Sequence, residues 1–370
     1  MRLQGFFSRW FACCLVAALS ATRSSAQQPQ PICATDVTSL LGAPGRFSSI
    51  AFLTDDLVLV SNGRSVASSL IYSVSKNKTV ATGTTCAMSG ERLWGTPKGR
   101  ILAACSRGLV LYDQDFRLIA LLRASDGYNP SQKLLFSATR ELVALSLSFP
   151  SPMKVFASDT LEEVASLPPN TFPDKGNVTF ISGLYNAGYV VYSGPMGERE
   201  GELSFHRFLM PQAVVFQKTT NGCMRNAAIS ETEALVFPCG KYPGEIIDVA
   251  TGRPEPTVFD SKHASFLQTT LSGKRFAIGY QGYSKLHKVK GALNPLLYLD
   301  DESSNLFRLR VLDRQSGSVL FDFHWKTNKN EPMLARYDNS AVSLSPNGEY
   351  VAFLRGSALK VYRIPDAAAH

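Results

Sequence analysis

The sequence predicts an all-β chain, a seven-bladed β-propeller of four-stranded antiparallel blades whose ring is closed by an N-terminal strand in the last blade. Three observations predict it. Short β-branched and aromatic runs are separated by Gly, Pro, Asn and Ser, and no long helical periodicity interrupts them. A unit recurs in which the third run ends in Asp: LRVLDRQSGSVL at Leu309 to Leu320, IIDVATGR at Ile246 to Arg253, and LVLYDQD at Leu109 to Asp115. Candidate first strands begin near Phe47, Glu91, Gln132, Asn177, Cys223, Ser265 and Asn339, and most intervals between them are about 40–46 residues, the repeat of a four-stranded blade. One such unit cannot bury its own faces, so it needs neighbours on both sides.

The elements follow in order. Residues 1–26 read as a signal peptide: Arg2 and Arg9 lie near the start, Trp10 to Ala21 is apolar, and Ser24-Ser25-Ala26 supplies small residues for cleavage. The apolar run is shorter than the roughly 20 residues a bilayer crossing needs, although an uncleaved anchor is the alternative. Residues 27–370 then form one propeller domain. Ala34 to Leu40 is a spare strand-like stretch ahead of the first complete blade, whose strands read Phe47 to Phe52, Leu57 to Val60, Leu70 to Tyr72 and Thr79 to Thr82. Second strands of later blades fall at Ile101 to Cys105, Leu142 to Leu147, Tyr189 to Tyr192, Ala234 to Phe237, Arg275 to Tyr280 and Tyr350 to Leu354. In the last unit Asn347-Gly348 supplies positive φ for a tight hairpin, Leu359 to Ile364 is a third strand, and the chain stops without a fourth. The spare N-terminal strand fills that place and removes two open sheet edges.

LSPNGEYVAFLRGSALKVYRI at Leu344 to Ile364 and VLDRQSGSVL at Val311 to Leu320 resemble the blade signature of WD-repeat-like and YVTN-type propellers. No WD dipeptide ends a third strand and no Gly-His pair opens a repeat. The resemblance implies a propeller used for binding, and it carries over no catalytic residue.

Charge and cysteine usage bound the partners. The formal net charge of +8 includes Arg2, Arg9 and Arg23 of the leader, and the remaining lysines and arginines are scattered, so nucleic acid is not an expected partner. No stretch of the mature chain is long and apolar enough to span a membrane. A monomer, exported to the periplasm or secreted, is expected. Cys86 with Cys105 and Cys223 with Cys239 each pair the start of a first strand with the end of a second, which an antiparallel hairpin brings together; disulfides are expected, with buried free thiols as the alternative. Cys33 is left over. Asn77-Lys78-Thr79 and Asn177-Val178-Thr179 match the glycosylation acceptor rule.

Two interruptions of the repeat mark a candidate site. Gln281 to Asn305 separates the second and third strands of blade six, and His324 to Asp338 bridges blades six and seven. Second-to-third loops and blade-to-blade loops leave a propeller on one face. The binding candidates are Tyr283, Lys285, His287, Lys288 and Tyr298 in the first stretch, and Trp325 and Lys326 in the second. The cations suit an acidic ligand or protein partner; a solvated flap over the rim is the alternative. Asp300-Asp301-Glu302 lacks the alternating ligands and Gly of a calcium loop. The five histidines are dispersed, and no HExxH, GxSxG or Gly-rich phosphate loop is present. No cofactor and no metal are expected. The reading is a non-catalytic, exported binding module, with a lactonase-like propeller hydrolase acting at the channel mouth as the alternative.

Overall fold

A computed structural model describes residues 29–42, 49–62, 67–86, 93–105, 108–123, 134–146, 152–169, 177–195, 201–220, 224–238, 244–259, 264–281, 306–326, 342–355 and 357–366. The strands group into seven four-stranded antiparallel sheets, six of them built in chain order from the first strand outward and the seventh completed by Cys33–Asp36, and the unit Pro31–His370 contains all seven. Blade one runs Ser49–Phe52, Leu57–Ser61, Ala67–Ser73, Lys78–Thr85, and blade two Leu93–Gly95, Ile101–Cys105, Gly108–Tyr112, Leu118–Arg123. The first strands of blades three to seven begin at Leu135, Asn177, Met224, Ala264 and Val342, within a few residues of the expected starts. First strands adjoin in six neighbouring pairs of blades, including one and seven, and blades two and three pack through Leu102, Ala104, Val143 and Leu145, so the sheets stand around an axis as a seven-bladed β-propeller.

The ring closes as expected, through Cys33–Asp36, which pairs with the third strand of blade seven at Cys33↔Val361 and Asp36↔Ala358. The strand is shorter than the sequence suggested. Asp36 accepts a hydrogen bond from the Thr38 amide (2.7 Å) and from the Ser357 hydroxyl (3.1 Å), which turns the chain out of the extended state. Thr38–Leu41 is a single helical turn instead, and it places Val37 and Leu41 on one buried side. They join Ile50, Phe52, Val60, Leu70, Ala352, Leu354 and Val361 in the apolar layer between blades seven and one. Cys33 lies in the same layer as a free thiol whose pKa burial raises, so it is suited to packing and not to reaction.

The recurring Asp has a local cause. Asp248 and Asp313 each end a third strand, Asp113 directly follows one, and all three cap the turn that comes next: Asp113 accepts from the amides of Asp115 (2.9 Å) and Arg117 (2.8 Å), Asp248 from Thr251 (2.7 Å), and Asp313 from Ser316 (2.8 Å). A carboxylate that accepts local amides specifies a turn better than polarity alone. Turns between first and second strands follow a second rule. Thr96, Ser137, Thr270 and Ser345 each hold the fourth- or fifth-following amide by the hydroxyl, at 3.0–3.3 Å. The residue three places on takes positive φ: Gly99, Arg140, Gly273 and Gly348. In the Ser345 turn only Gly348 adopts positive φ (82°). Asn347 instead spends its carbonyl on the Glu349 amide (2.9 Å) and its own amide on Asp55 of blade one (2.8 Å). It therefore ties the seam and does not bend the hairpin.

Cys86 and Cys105 are joined in a disulfide, with Cα atoms 5.5 Å apart. The pair does not occupy the two strands of one hairpin. Cys86 follows the outer strand of blade one, seven positions before the first strand of blade two, whereas Cys105 ends the second strand of blade two. The bond fastens the blade-one-to-two connection to blade two, and closing a loop of this size stabilises by about 3 kcal/mol in the chain-entropy view. Cys223 and Cys239 lie outside the described residues.

Two measurements check this account. Deleting residues 31–41 leaves the third strand of blade seven and the seam unpaired, and should lower the melting temperature by more than 10 °C or abolish a cooperative transition, since several kcal/mol of burial and pairing go with it; an unchanged melting curve would contradict ring closure by this strand. At Arg140 (φ 58°), a glycine variant should exceed an alanine variant in stability by about 1 kcal/mol, because only glycine escapes the left-handed penalty. Chemical denaturation of the two variants reads that difference.

Candidate functional site

Antiparallel pairing puts the ends of blade six in register. Gln281 faces Phe307 and Leu306 faces Lys326, so the second, third and outer strands all terminate at one end of the sheet. Positions 282–305 separate Gln281 from Leu306 there, where blade two needs only 106–107 and blade seven only 356–357. The blade-to-blade connection, positions 327–341, starts at the same end. Tyr283, Lys285, His287, Lys288 and Tyr298 lie outside the described residues. Trp325 and Lys326 were expected in the bridging stretch but are the last two positions of the outer strand Val319–Lys326. The alternation VLFDFHWK carries strand character past His324, and the pairing with Leu306–Asp313 keeps pace with it.

The sheet beneath that end is built on two unlike faces. Leu309, Val311 and Phe321 face blade seven and pack with Val342, Leu344, Val351, Phe353 and Tyr362, with Phe323 joining them. Phe323 lies 5.0 Å from Phe353 and 5.2 Å from Tyr362, ring centre to ring centre, a tilted cluster of the kind that adds to area burial. The opposite face carries Arg308, Arg310 and Asp322. Asp322 takes the Arg308 guanidinium through both carboxylate oxygens, one at 2.7 Å, and Arg310 at 3.4 Å. Burial raises the Asp322 carboxyl, but the hydrogen bonds and charges of the two arginines outweigh it and leave the pKa below the ordinary carboxylate value. His324 sits opposite Arg308 in register on the same outer strand. His206, in blade four, stacks on Tyr189 at 5.3 Å and meets the Ser204 hydroxyl at 2.9 Å, a packing role far along the ring from His324.

The other end of the propeller carries a girdle of polar latches that sequence reasoning missed. Glu231 of blade five accepts from the backbone amides of Thr139 in blade three (3.3 Å) and Asn186 in blade four (2.6 Å), so one carboxylate joins the turns of three blades. Asn186 also donates to Glu141 (2.7 Å). Burial, with the charge of Glu231 added, pushes the neighbouring Tyr185 phenol up. Arg314 of blade six pairs with the buried Glu233 and with Glu255 of blade five. Arg275 of blade six donates to the Gly348 carbonyl (2.8 Å) and to Asp366 (3.0 Å). Between blades two and three, Asp159 receives Thr96 and its carbonyl receives Arg100. Arg140 donates to the Gly95 carbonyl (3.3 Å), and burial lowers its pKa to about 10. Among the described residues, no three His, Cys, Asp or Glu side chains gather as a metal set, and no helix is long and apolar enough to cross a membrane.

No protein-family model and no curated protein matches the chain in sequence. Solved structures do match in shape. Raptor of Chaetomium thermophilum aligns with TM-score 0.58 at 10% identity, over 92% of this chain and 29% of that one. This chain therefore spans less than a third of that protein's length. A chain of the mitotic checkpoint complex aligns with TM-score 0.54 at 12% identity over 92% and 96% of the two chains. The β-propeller domain of Cps50 (Swd1) of Myceliophteria thermophila aligns with TM-score 0.52 at 13% identity over 87% and 98%. The fold is thus a seven-bladed β-propeller, and at these identities the likeness extends to the fold alone.

The arginine pair on Asp322 makes a pH-dependent prediction. The folded carboxyl titrates below its unfolded value, so the stabilisation is present above the unfolded value of about 4 and is lost as pH falls through the folded one. Asp322→Asn should cost about 1–3 kcal/mol at pH 7, and the gap from the parent chain should narrow below about pH 4. Denaturant titrations at pH 7 and at pH 3 measure it; a gap that grows on acidification would contradict the assignment.

Proposed function

We propose that this protein is an exported, non-catalytic binding module that engages an acidic protein or ligand through the loop-bearing end of blade six. The observation that carries the reading is the long separation of the second and third strands of blade six, positions 282–305, set beside the blade-to-blade connection at 327–341 at one end of the sheet. Loops held by a rigid scaffold are where propellers and other β-folds place recognition. Tyr283, Tyr298 and Trp325 supply amphipathic contact area, and Lys285, Lys288 and Lys326, with His287, supply the positive field that steers an acidic partner. Propeller structures named as parts of an assembly, such as the mitotic checkpoint complex, are compatible with this use. Export rests on the leader at 1–26, removed to leave the domain 27–370, and on the Cys86–Cys105 disulfide, since such bonds persist in oxidising compartments.

The test replaces 282–305 with an Asn-Gly turn in the mature chain and compares both proteins as bait in a pull-down from medium or periplasm. The shortened protein should melt as the parent does and lose the partner, and parental binding should weaken at least tenfold as salt rises from about 50 to 500 mM, where the Debye length shortens severalfold. Retention of every partner at unchanged affinity would place recognition elsewhere. Native mass spectrometry of the same preparation addresses the lactonase-like alternative, for which a retained metal ion is the diagnostic result.

A further inference from the structure

Three Asn-Gly dipeptides occur in the chain, at 62–63, 221–222 and 347–348. In such a pair the glycine carries no side chain to keep its backbone nitrogen away from the preceding carboxamide, and asparagine is among the thermolabile residues. Asn221 lies outside the described residues, as does Gly63. Asn62 is shielded: it is 2% exposed, and its carboxamide nitrogen donates to the Leu41 carbonyl at 3.1 Å. Asn347 is arranged differently. Its side chain is partly exposed, and the carboxamide oxygen accepts both the Ser345 hydroxyl (2.8 Å) and the Glu349 amide (2.9 Å). No hydrogen bond holds its carboxamide nitrogen to any described residue. The next residue, Gly348, takes φ 82° and gives its N–H to the Ser345 carbonyl at 2.9 Å.

We infer that Asn347 is a site of spontaneous deamidation that loosens the ring seam as the protein ages. Hydroxide removes the Gly348 amide proton, and that nitrogen adds to the Asn347 carboxamide carbon; a nitrogen–carbon bond forms, the bond to the carboxamide nitrogen breaks, and ammonia leaves with a proton taken from water. Water then opens the resulting succinimide at one carbonyl or the other, leaving aspartate or isoaspartate. The negative charge of the addition step falls on the carboxamide oxygen, where the Ser345 hydroxyl and the Glu349 amide are already directed, as donors to an oxyanion are. Against these two stands the single Gly348 hydrogen bond that must open first, a modest net term. The product falls on the seam. The Asn347 backbone amide is held by the Asp55 carboxylate of blade one (2.8 Å), so a new carboxylate on residue 347 stands close to one of like charge. Isoaspartate also lengthens the main chain by a methylene, which draws the Gly348 carbonyl away from Arg275 of blade six (2.8 Å).

The experiment incubates the mature, disulfide-intact chain in mildly alkaline buffer at body temperature and follows aspartate and isoaspartate at Asn62 and Asn347 by peptide mapping, beside a sample kept in denaturant. In denaturant the two should convert at similar rates, because neither carboxamide is then held. In the folded chain Asn347 should convert at least tenfold faster than Asn62. Asn347→Asp, which installs one product directly, should lower the melting temperature by a few degrees, and the loss should shrink when Asp55→Asn is combined with it, because the repulsion then lacks a partner. A folded chain that keeps Asn347 intact while its denatured form converts overturns the site. An Asn347→Asp variant that melts with the parent overturns the effect on the seam.

Discussion

Everything in this molecule depends on four backbone-paired residues, Cys33–Asp36, lying against Ala358–Val361. Each blade is a sheet that packs against a neighbour on both sides, and a row of such sheets is stable only when the first and last also cover one another. Blade seven has three strands of its own and borrows the fourth from the start of the chain. The seam is then fastened at several depths: Val37 and Leu41 bury between blades, the Ser343 hydroxyl accepts the Phe52 amide at 2.9 Å, and Asp55 accepts the Asn347 amide at 2.8 Å. These contacts join residues about 290 positions apart, so the loop-closure entropy is met late and collectively.

Closure imposes different duties on the two ends of the ring. At the end bearing the tight turns, hydroxyl and aspartate caps set each turn, and cross-blade pairs such as Glu231 with Asn186 or Arg314 with Glu233 hold neighbouring turns together. Little there can lengthen without breaking a latch. At the other end the second-to-third connections join strands already paired along their length, and the sheet tolerates 106–107 in one blade and 282–305 in another. Gly95 shows how close the packing is nearer the axis: a Cβ there would collide with the Phe52 carbonyl of blade one. Variation is thereby confined to one end of the ring.

What was legible in the sequence follows the same division. Strand runs, the Asp-capped turns and the missing fourth strand are local signals, and the blade starts, the closure and most second strands were read from them. The misreadings came where a local pattern met a non-local partner. Ala34 to Leu40 looks extended until Ser357 and Thr38 compete for Asp36; Cys86 looks like a strand start until the outer strand of blade one runs to Thr85. Trp325 and Lys326 continue the alternation of the outer strand to the point where its hairpin partner, the third strand, begins at Leu306. The Glu231 latch unites blades three, four and five, and no spacing in one segment announces it. Of the candidate binding residues, only the strand positions of Trp325 and Lys326 can be placed.

The polar latches also bear on where recognition falls. At the turn-bearing end, Glu231, Glu141, Arg275, Arg314 and Asp55 are each committed to a neighbouring blade. A foreign ligand that recruited one of them would have to break its present contact with the neighbouring blade. Binding there would compete with the forces that hold the ring together. Contacts made by an insertion outside the repeated strands carry no such penalty, because the blades remain paired whether or not those side chains are occupied. A propeller that binds without loosening itself therefore does so most economically through the end where its repeat is broken.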